Sequence, residues 1–292
     1  MANAYRSHAK LNLHLQVVGR RSDGYHELRT IFQTIELHDV LYLECTSESG
    51  VELTVSEGDA PAGSQNLAAR AASAFLERWA PDRGVRIELE KRIPAASGLG
   101  GGSSNAATVL RALQDELGQP APPGELWKLA RELGADVPFF LVGGTALGVG
   151  RGDEIVPLED IEPAPVWLFF PAAAISTRRV FAELASVMPE PLAPQIASAL
   201  VEGRSHGLRD LLGFNDLEPV VLAGYPAVRA VYNSVLAVGL EPVRLSGSGA
   251  TLFSPDEGCA AVGESQTILP EGTSMSASRT LTRSQFGDYR ST

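Results

Sequence analysis

From Ala9 to Val17 apolar and polar residues alternate without a break. Ala9, Leu11, Leu13, Leu15 and Val17 share one side; Lys10, Asn12, His14 and Gln16 share the other. A period of two predicts a half-buried strand. Ser22-Asp23-Gly24 predicts a hairpin turn, and Tyr25 to Leu37 a returning strand. Val40 to Cys45 and Val51 to Val55 predict further short strands. Asn66 to Trp79 has helical spacing through Leu67, Ala71, Ala74 and Phe75. Val85, Ile87 and Leu89 alternate again, and Ser104 to Leu117 carries the stripe of an amphipathic helix. A Pro/Gly-rich break from Gly118 to Gly124 precedes a helix from Glu125 to Leu133, closed by Gly134.

The second half predicts a strand from Val166 to Phe170, a helix following Thr177, another over about Pro191 to Glu202, and a longer one from Asn215. Asn215 and Glu218 have the spacing of a capping box. Leu245 to Phe253 reads as a glycine-rich turn running into a strand, and the polar tail after Phe286 is expected to fray. Gly143 to Asp153 is glycine-rich, and Glu159 to Pro165 reads as a linker. This gives an α+β fold of two domains, 1–158 and 159–292.

Length and composition agree with a globular protein of about two domains. The 292 residues are 44% hydrophobic and carry a formal net charge of −11, which argues against a general nucleic-acid or anionic-membrane surface. The two cysteines, Cys45 and Cys259, have no metal-ligand spacing and form no disulfide framework. No apolar run reaches the ~18 residues that span a bilayer, and no signal peptide is evident, so a cytoplasmic location is expected. Only three of the 24 basic residues are lysines: Lys10, Lys91 and Lys128. A lysine within a strand is therefore unusual for this chain.

Pro94 to Ala107 reads P-A-A-S-G-L-G-G-G-S-S-N-A-A, with four glycines in five residues ahead of a helix. Glycines let backbone approach an anion, and the helix start offers unpaired N–H groups and a positive dipole end. That combination predicts a polyphosphate cradle. It is not a Walker A loop, because no lysine follows the glycines, nor a dinucleotide fingerprint, because the G-x-G-x-x-G spacing is missing. Asp136, in L-G-A-D-V-P-F-F-L, lies at a corner before Pro138 and is either a cap or a positioned base. On spacing alone Lys10, and Tyr25 with His26, read more readily as surface or packing residues than as chemistry.

Taken in order, these motifs resemble the GHMP kinases over nearly the whole chain. The residues that carry the resemblance are A-K-L-N-L at 9–13, R-R-S-D-G-Y-H-E-L at 20–28, the glycine loop at 94–107, L-G-A-D-V-P-F-F at 133–140 and L-S-G-S-G-A at 245–250. D-G-Y-H and L-G-A-D-V-P point to a branch that acts on a cytidylyl diphosphate sugar alcohol. The resemblance implies a two-domain GHMP kinase fold with the active site in the cleft between domains, and ATP-dependent phosphorylation of a small-molecule alcohol on the route to isoprenoid precursors. It implies Lys10 and Asp136 as the catalytic pair. Pro94, Ala95, Ala96, Ser97, Gly98, Leu99, Gly100, Gly101, Gly102, Ser103 and Ser104 would hold the ATP phosphates, with Asn66 and Lys91 on the adenosine side. Tyr25, His26 and Phe181 would surround the cytosine, and Asn12 would contact the substrate. Mg²⁺ is implied with ATP; its ligands are not legible, although Ser104 is one candidate contact. Oligomeric state is left open. The chain departs from the family at His8, where proline usually precedes Ala-Lys.

Overall fold

Strand β1, Asn3–Arg20, runs through the centre of the molecule with both faces covered. The alternation predicts the strand but neither this burial nor the bulges at 8–10, 12–14 and 17–19 that interrupt its parity. Leu11 and Leu13 are buried, and so are Lys10, Asn12, His14 and Gln16. Polar side chains are buried at a cost unless they find partners, so a strand whose polar face is also enclosed is a candidate seat of function. The computed structural model describes residues 2–187, 207–255 and 269–291. The helix expected over Pro191 to Glu202, and Cys259, lie outside them.

β1 pairs antiparallel with β2, His26–Thr46, which is one long strand instead of the two shorter ones expected. It stays continuous because its two ends have different further partners: β5, Thr145–Gly150, along Leu28–Gln33, and β4, Gly84–Glu90, along Val40–Thr46. β3, Gly50–Glu57, lies parallel to β4, and the helix between them, α1 (Leu67–Trp79), packs against α2 (Gly101–Glu116) on one face of the sheet. β6, Glu154–Pro157, extends the sheet beyond β5. The helices α3 (Glu125–Leu133) and α4 (Phe139–Val142) bracket Asp136.

A second, four-stranded antiparallel sheet has the order β10 (Ser274–Arg279), β7 (Pro165–Phe170), β9 (Leu252–Pro255), β8 (Arg244–Leu245). Against it pack α5 (Thr177–Val187), α7 (Glu218–Gly224) and α8 (Pro226–Ala237). A short helix, α6, covers Leu208–Leu211. The single long helix expected from Asn215 is instead α7 and α8, bent by 111°. Pro226 accounts for the break, since proline has no N–H to donate and disfavours helical backbone in the preceding Tyr225. No single helix among the described residues is long and apolar enough to cross a membrane.

A seam of Ala9, Leu11, Leu13, Ile31, Leu168 and Phe253 joins the two sheets. The tail does not fray. After α9 (Arg283–Gly287), β11 (Arg290–Ser291) pairs with Tyr5 and Ala4 on the outer edge of β1. Tyr289 is buried, its hydroxyl donating to Asp115 at 2.7 Å, and the Arg111 guanidinium lies 3.8 Å from its ring centre. Residues that look polar one at a time are held here by partners far away in sequence.

Candidate active site

The glycine loop joins β4 to α2, and its backbone alternates in hand. Ala96, Gly98 and Gly100 have φ of 51°, 81° and 71°. The helix it feeds starts at Gly101, three residues earlier than expected. Among the described residues no backbone amide from Ala96 to Ser103 donates to a backbone carbonyl. A run of uncommitted donors at the positive end of a helix is what a phosphate chain requires.

Lys10 projects from the polar face of β1 toward this loop. Its ammonium donates to Asn12 Oδ1 and, at 2.7 Å, to the carbonyl of Gly98, and it lies 3.8 Å from Asp136 Oδ2. Burial pushes the Lys10 pKa below its ordinary value, and the Asp136 carboxylate partly opposes the shift. Asp136 stays more than a third exposed at the mouth of the loop, where a substrate can reach it. Asn12 is fixed from its other end, donating to Thr30 Oγ1 at 2.7 Å, and Thr30 donates in turn to the His14 carbonyl.

The second glycine motif, at 245–250, backs onto the first. Ser246 Oγ donates to the Gly98 carbonyl at 3.1 Å and accepts from the Asn12 amide at 3.3 Å. Gly247, at φ 56°, lies so close to the ion pair that a β-carbon there would stand 3.3 Å from Lys10 Nζ and 3.2 Å from Asn12 Oδ1. The sequence marks this motif as a turn; that it buttresses the first glycine loop is a tertiary fact.

These groups open into a cleft of about 880 Å³. Of the expected site residues, Lys10, Asn12, Tyr25, His26, Asp136 and Phe181 all line it, together with Ala96, Gly98 and Gly100. His26 and Phe181 stack on each other, ring centres 4.9 Å apart and planes at 24°. Tyr25 is 56% exposed, and its ring meets the Arg151 guanidinium at 5.1 Å rather than the ring of Phe181. Burial, with the positive charge of Arg20, lowers the His26 pKa and favours the neutral ring.

Three further expected residues have protein partners. Asn66 caps α1: its Oδ1 accepts from the Ala68 amide at 2.9 Å and its Nδ2 donates to the Pro61 carbonyl at 2.8 Å. Lys91 is bound to the fully buried Asp39, whose other oxygen accepts from the amides of Arg92 and Ile93 at 2.7 and 2.8 Å. Ser104 donates to the His8 carbonyl at 2.6 Å and accepts from Ser7 Oγ at 2.8 Å. Lys91 and Ser104 thus brace the strands beside the loop, and Asn66 fixes the start of α1. Among the described residues no three His, Cys, Asp or Glu side chains are grouped to hold a metal ion.

The cleft also has walls that were not expected as site residues: Arg20, Asp23, Arg151, Thr177 and Ser248. Thr177 and Ser248 join hydroxyl to hydroxyl at 2.8 Å across the cleft floor. Arg151 is anchored by the buried Asp153 at 2.8 Å. Each sits inside or beside a segment that is unusual in sequence: R-R-S-D-G at 20–24, I-S-T-R-R-V-F at 175–181, the glycine-rich stretch around Gly150, or L-S-G-S-G-A at 245–250. The segments are legible although their side chains' directions are not.

Residues 66–144 match the family of the GHMP kinase N-terminal domain. A 4-diphosphocytidyl-2-C-methyl-D-erythritol kinase of Desulfotalea psychrophila is 44% identical over 253 residues, 85% of this chain and 83% of that protein. A solved 4-(cytidine 5′-diphospho)-2C-methyl-D-erythritol kinase superposes with a TM-score of 0.78 at 38% identity, over 95% of this chain and 98% of its own. The mevalonate kinase of Methanococcus jannaschii superposes at 0.68 with 14% identity over 97% and 98%, which speaks for the fold alone. On this identity and coverage the chain belongs to the 4-diphosphocytidyl-2-C-methyl-D-erythritol kinases, a branch of the GHMP kinases.

Proposed function

We propose that this protein transfers the γ-phosphoryl group of ATP to the 2-hydroxyl of 4-diphosphocytidyl-2-C-methyl-D-erythritol, giving the 2-phosphate and ADP in isoprenoid precursor synthesis. The observation that carries the reading is the Lys10–Asp136 pair, 3.8 Å apart, beside a loop of uncommitted amides. Residues 1–158 supply the loop and the pair, and residues 159–292 supply Phe181, Thr177 and the second glycine motif. We place the reaction in the cytoplasm, where ATP is made and unpaired cysteines stay reduced.

Full deprotonation of the alcohol by Asp136 before transfer is too costly. An alcohol near pKa ~16 and a carboxylate near ~4 differ by about 12 units, or roughly 16 kcal/mol. Phosphoryl transfer has a loose transition state, so the proton can leave late. Asp136 orients the hydroxyl and accepts its proton as the new P–O bond forms. Lys10 pairs with that carboxylate and faces the negative charge of the transferring group. The loop amides hold the phosphates in line. Mg²⁺ travels with ATP and supplies charge neutralisation, but the described residues form no protein cage for it.

The other half of the cleft suits a nucleobase. Phe181 offers a π face, and a neutral His26 offers one donor and one acceptor to a base edge. Because His26 and Phe181 touch, a base does not slot between them. It lies against the free face of Phe181 with Tyr25 closing over it. A volume of about 880 Å³ suits a nucleotide-linked substrate better than a small free alcohol. The deciding assay follows ADP release with the cytidylyl substrate, its uridylyl analogue and free methylerythritol. Strong preference for the first supports the reading, and equal rates with the free alcohol overturn it.

A further inference from the structure

Asn215 and Glu218 have the spacing of a capping box, but the structure uses them otherwise. Asn215 does not cap α7, whose N-cap is Leu217; its Oδ1 accepts from the Leu217 amide at 2.9 Å in a local turn, and the Glu218 amide donates to its backbone carbonyl at 2.9 Å. Its Nδ2 donates outward, to the carbonyls of Leu245 and Gly247, both at 2.8 Å. The Glu218 side chain does not turn back to Asn215; its Oε2 accepts from the Leu245 amide at 2.7 Å. Both side chains therefore grip the second glycine motif from behind, and Asn215 is only 5% exposed.

The front of that motif is the Lys10 environment. The Gly98 carbonyl is shared by Lys10 Nζ and Ser246 Oγ, and Gly247 packs against Lys10 and Asn12. Asn215 is also hooked to the strand that carries Lys10. The Leu15 amide donates to the Phe214 carbonyl at 2.9 Å, and the Asp216 amide donates to the Leu15 carbonyl at 3.0 Å. One buried amide thus connects the strand of the catalytic lysine to the loop that fixes its acceptor.

We propose that Asn215 and Glu218 are positioning residues for phosphoryl transfer, setting the Ser246–Gly247 backbone and through it the Gly98 carbonyl and the Lys10 ammonium. Neither side chain touches substrate. Loss of the Asn215 donors leaves two buried carbonyls unsatisfied and frees the loop to shift, and displacements of about 1 Å near reacting groups can cost on the order of 100-fold in rate.

The inference rests on the assignment of Lys10 and is tested beside it. Asn215→Ala, Glu218→Ala, Glu218→Gln and Lys10→Met are compared with Thr282→Ala, which removes the cap of α9 at a residue that does not line the cleft and serves as the stability control. Turnover is measured well below each melting temperature and divided by the folded fraction from near-UV circular dichroism. Asn215→Ala and Glu218→Ala are expected to lose about tenfold or more in kcat per folded enzyme, as misplacement predicts. Glu218→Gln keeps an acceptor for the Leu245 amide and is expected to retain most of the rate, and Thr282→Ala all of it. If the Asn215 and Glu218 variants turn over like Thr282→Ala, the positioning role is wrong even where Lys10→Met is inactive. If Lys10→Met is also active, the site assignment itself falls. Should Asn215→Ala not fold, the Glu218 pair decides alone: equal rates for Ala and Gln overturn the proposal.

Discussion

Gly98 and Ser246 meet backbone to backbone: a β-carbon on the first would overlap the carbonyl oxygen of the second. The two glycine-rich segments, almost 150 residues apart in sequence, are therefore packed as one object, with Lys10 and Asn12 at its edge. Gly98 also has φ 81°, a conformation that favours glycine. Gly98→Ala is expected to cost at least about 2 kcal/mol of stability from backbone strain and overlap. It should also weaken ATP binding, and calorimetry gives both quantities. Unchanged ATP affinity in a folded Gly98→Ala protein would mean that the loop does not hold phosphates.

Removing either member of the catalytic pair tests a different link. Asp136→Asn should keep the fold and lower kcat by about 10²–10⁴. Lys10→Met should also lose turnover, yet its melting temperature should hold or rise, because burial disfavours the lysine's charge. A collapse in thermal stability on Lys10→Met would point to a structural ion pair. Since burial lowers the Lys10 pKa, the alkaline limb of the rate profile should fall below the range of a free lysine.

Phe181→Ala should raise the KM for the cytidylyl substrate by roughly 10- to 100-fold, the equivalent of about 1–3 kcal/mol of base stacking. ATP affinity should not change. Equal losses for both ligands in calorimetry would remove Phe181 from the base site.

His8 makes stability depend on pH. Burial, reinforced by the nearby His38, lowers its pKa to about 4. The folded state therefore resists a proton that the unfolded state accepts from about pH 6.5 downward. Stability should fall as the pH drops from about 6.5 to 4, by up to about 3 kcal/mol from this residue. Between pH 7 and 5, His8→Leu should lose about 2 kcal/mol less than the unaltered protein, as read by urea unfolding at both values. Parallel pH curves for the two proteins would exclude His8 as the source.

What the sequence made legible were motifs and faces. Lys10, Asn12 and His14 were on one face by parity, and Asp136 at a corner by its proline. Burial was not legible, because the second sheet that covers β1 comes from residues beyond 165. Asn66, Lys91 and Ser104 show what a motif leaves out. Their motif places them near a nucleotide, but each spends its polar atoms on the backbone or a buried partner that supports the loop. Asn215 and Glu218 carry a local signature that a distant segment outcompetes. Such competition is decided by tertiary neighbours, which no window of neighbouring residues contains.

The pairing of β11 with β1 has a bearing on how the protein is made. Synthesis delivers Tyr5 near the start and Arg290 near the other end, yet the two share an edge of one sheet. Until residues 283–291 leave the ribosome, the outer edge of β1 is open, Arg111 lacks its aromatic covers and the hollow at Gly143 lacks Phe286. The half that carries the glycine loop, although encoded first, should remain labile while the rest is translated, and catalytic competence should arrive late and all at once. A ribosome-stalled chain ending near residue 270 is expected to be cut readily by protease within α2, and protection there at that length would show that the first half matures independently.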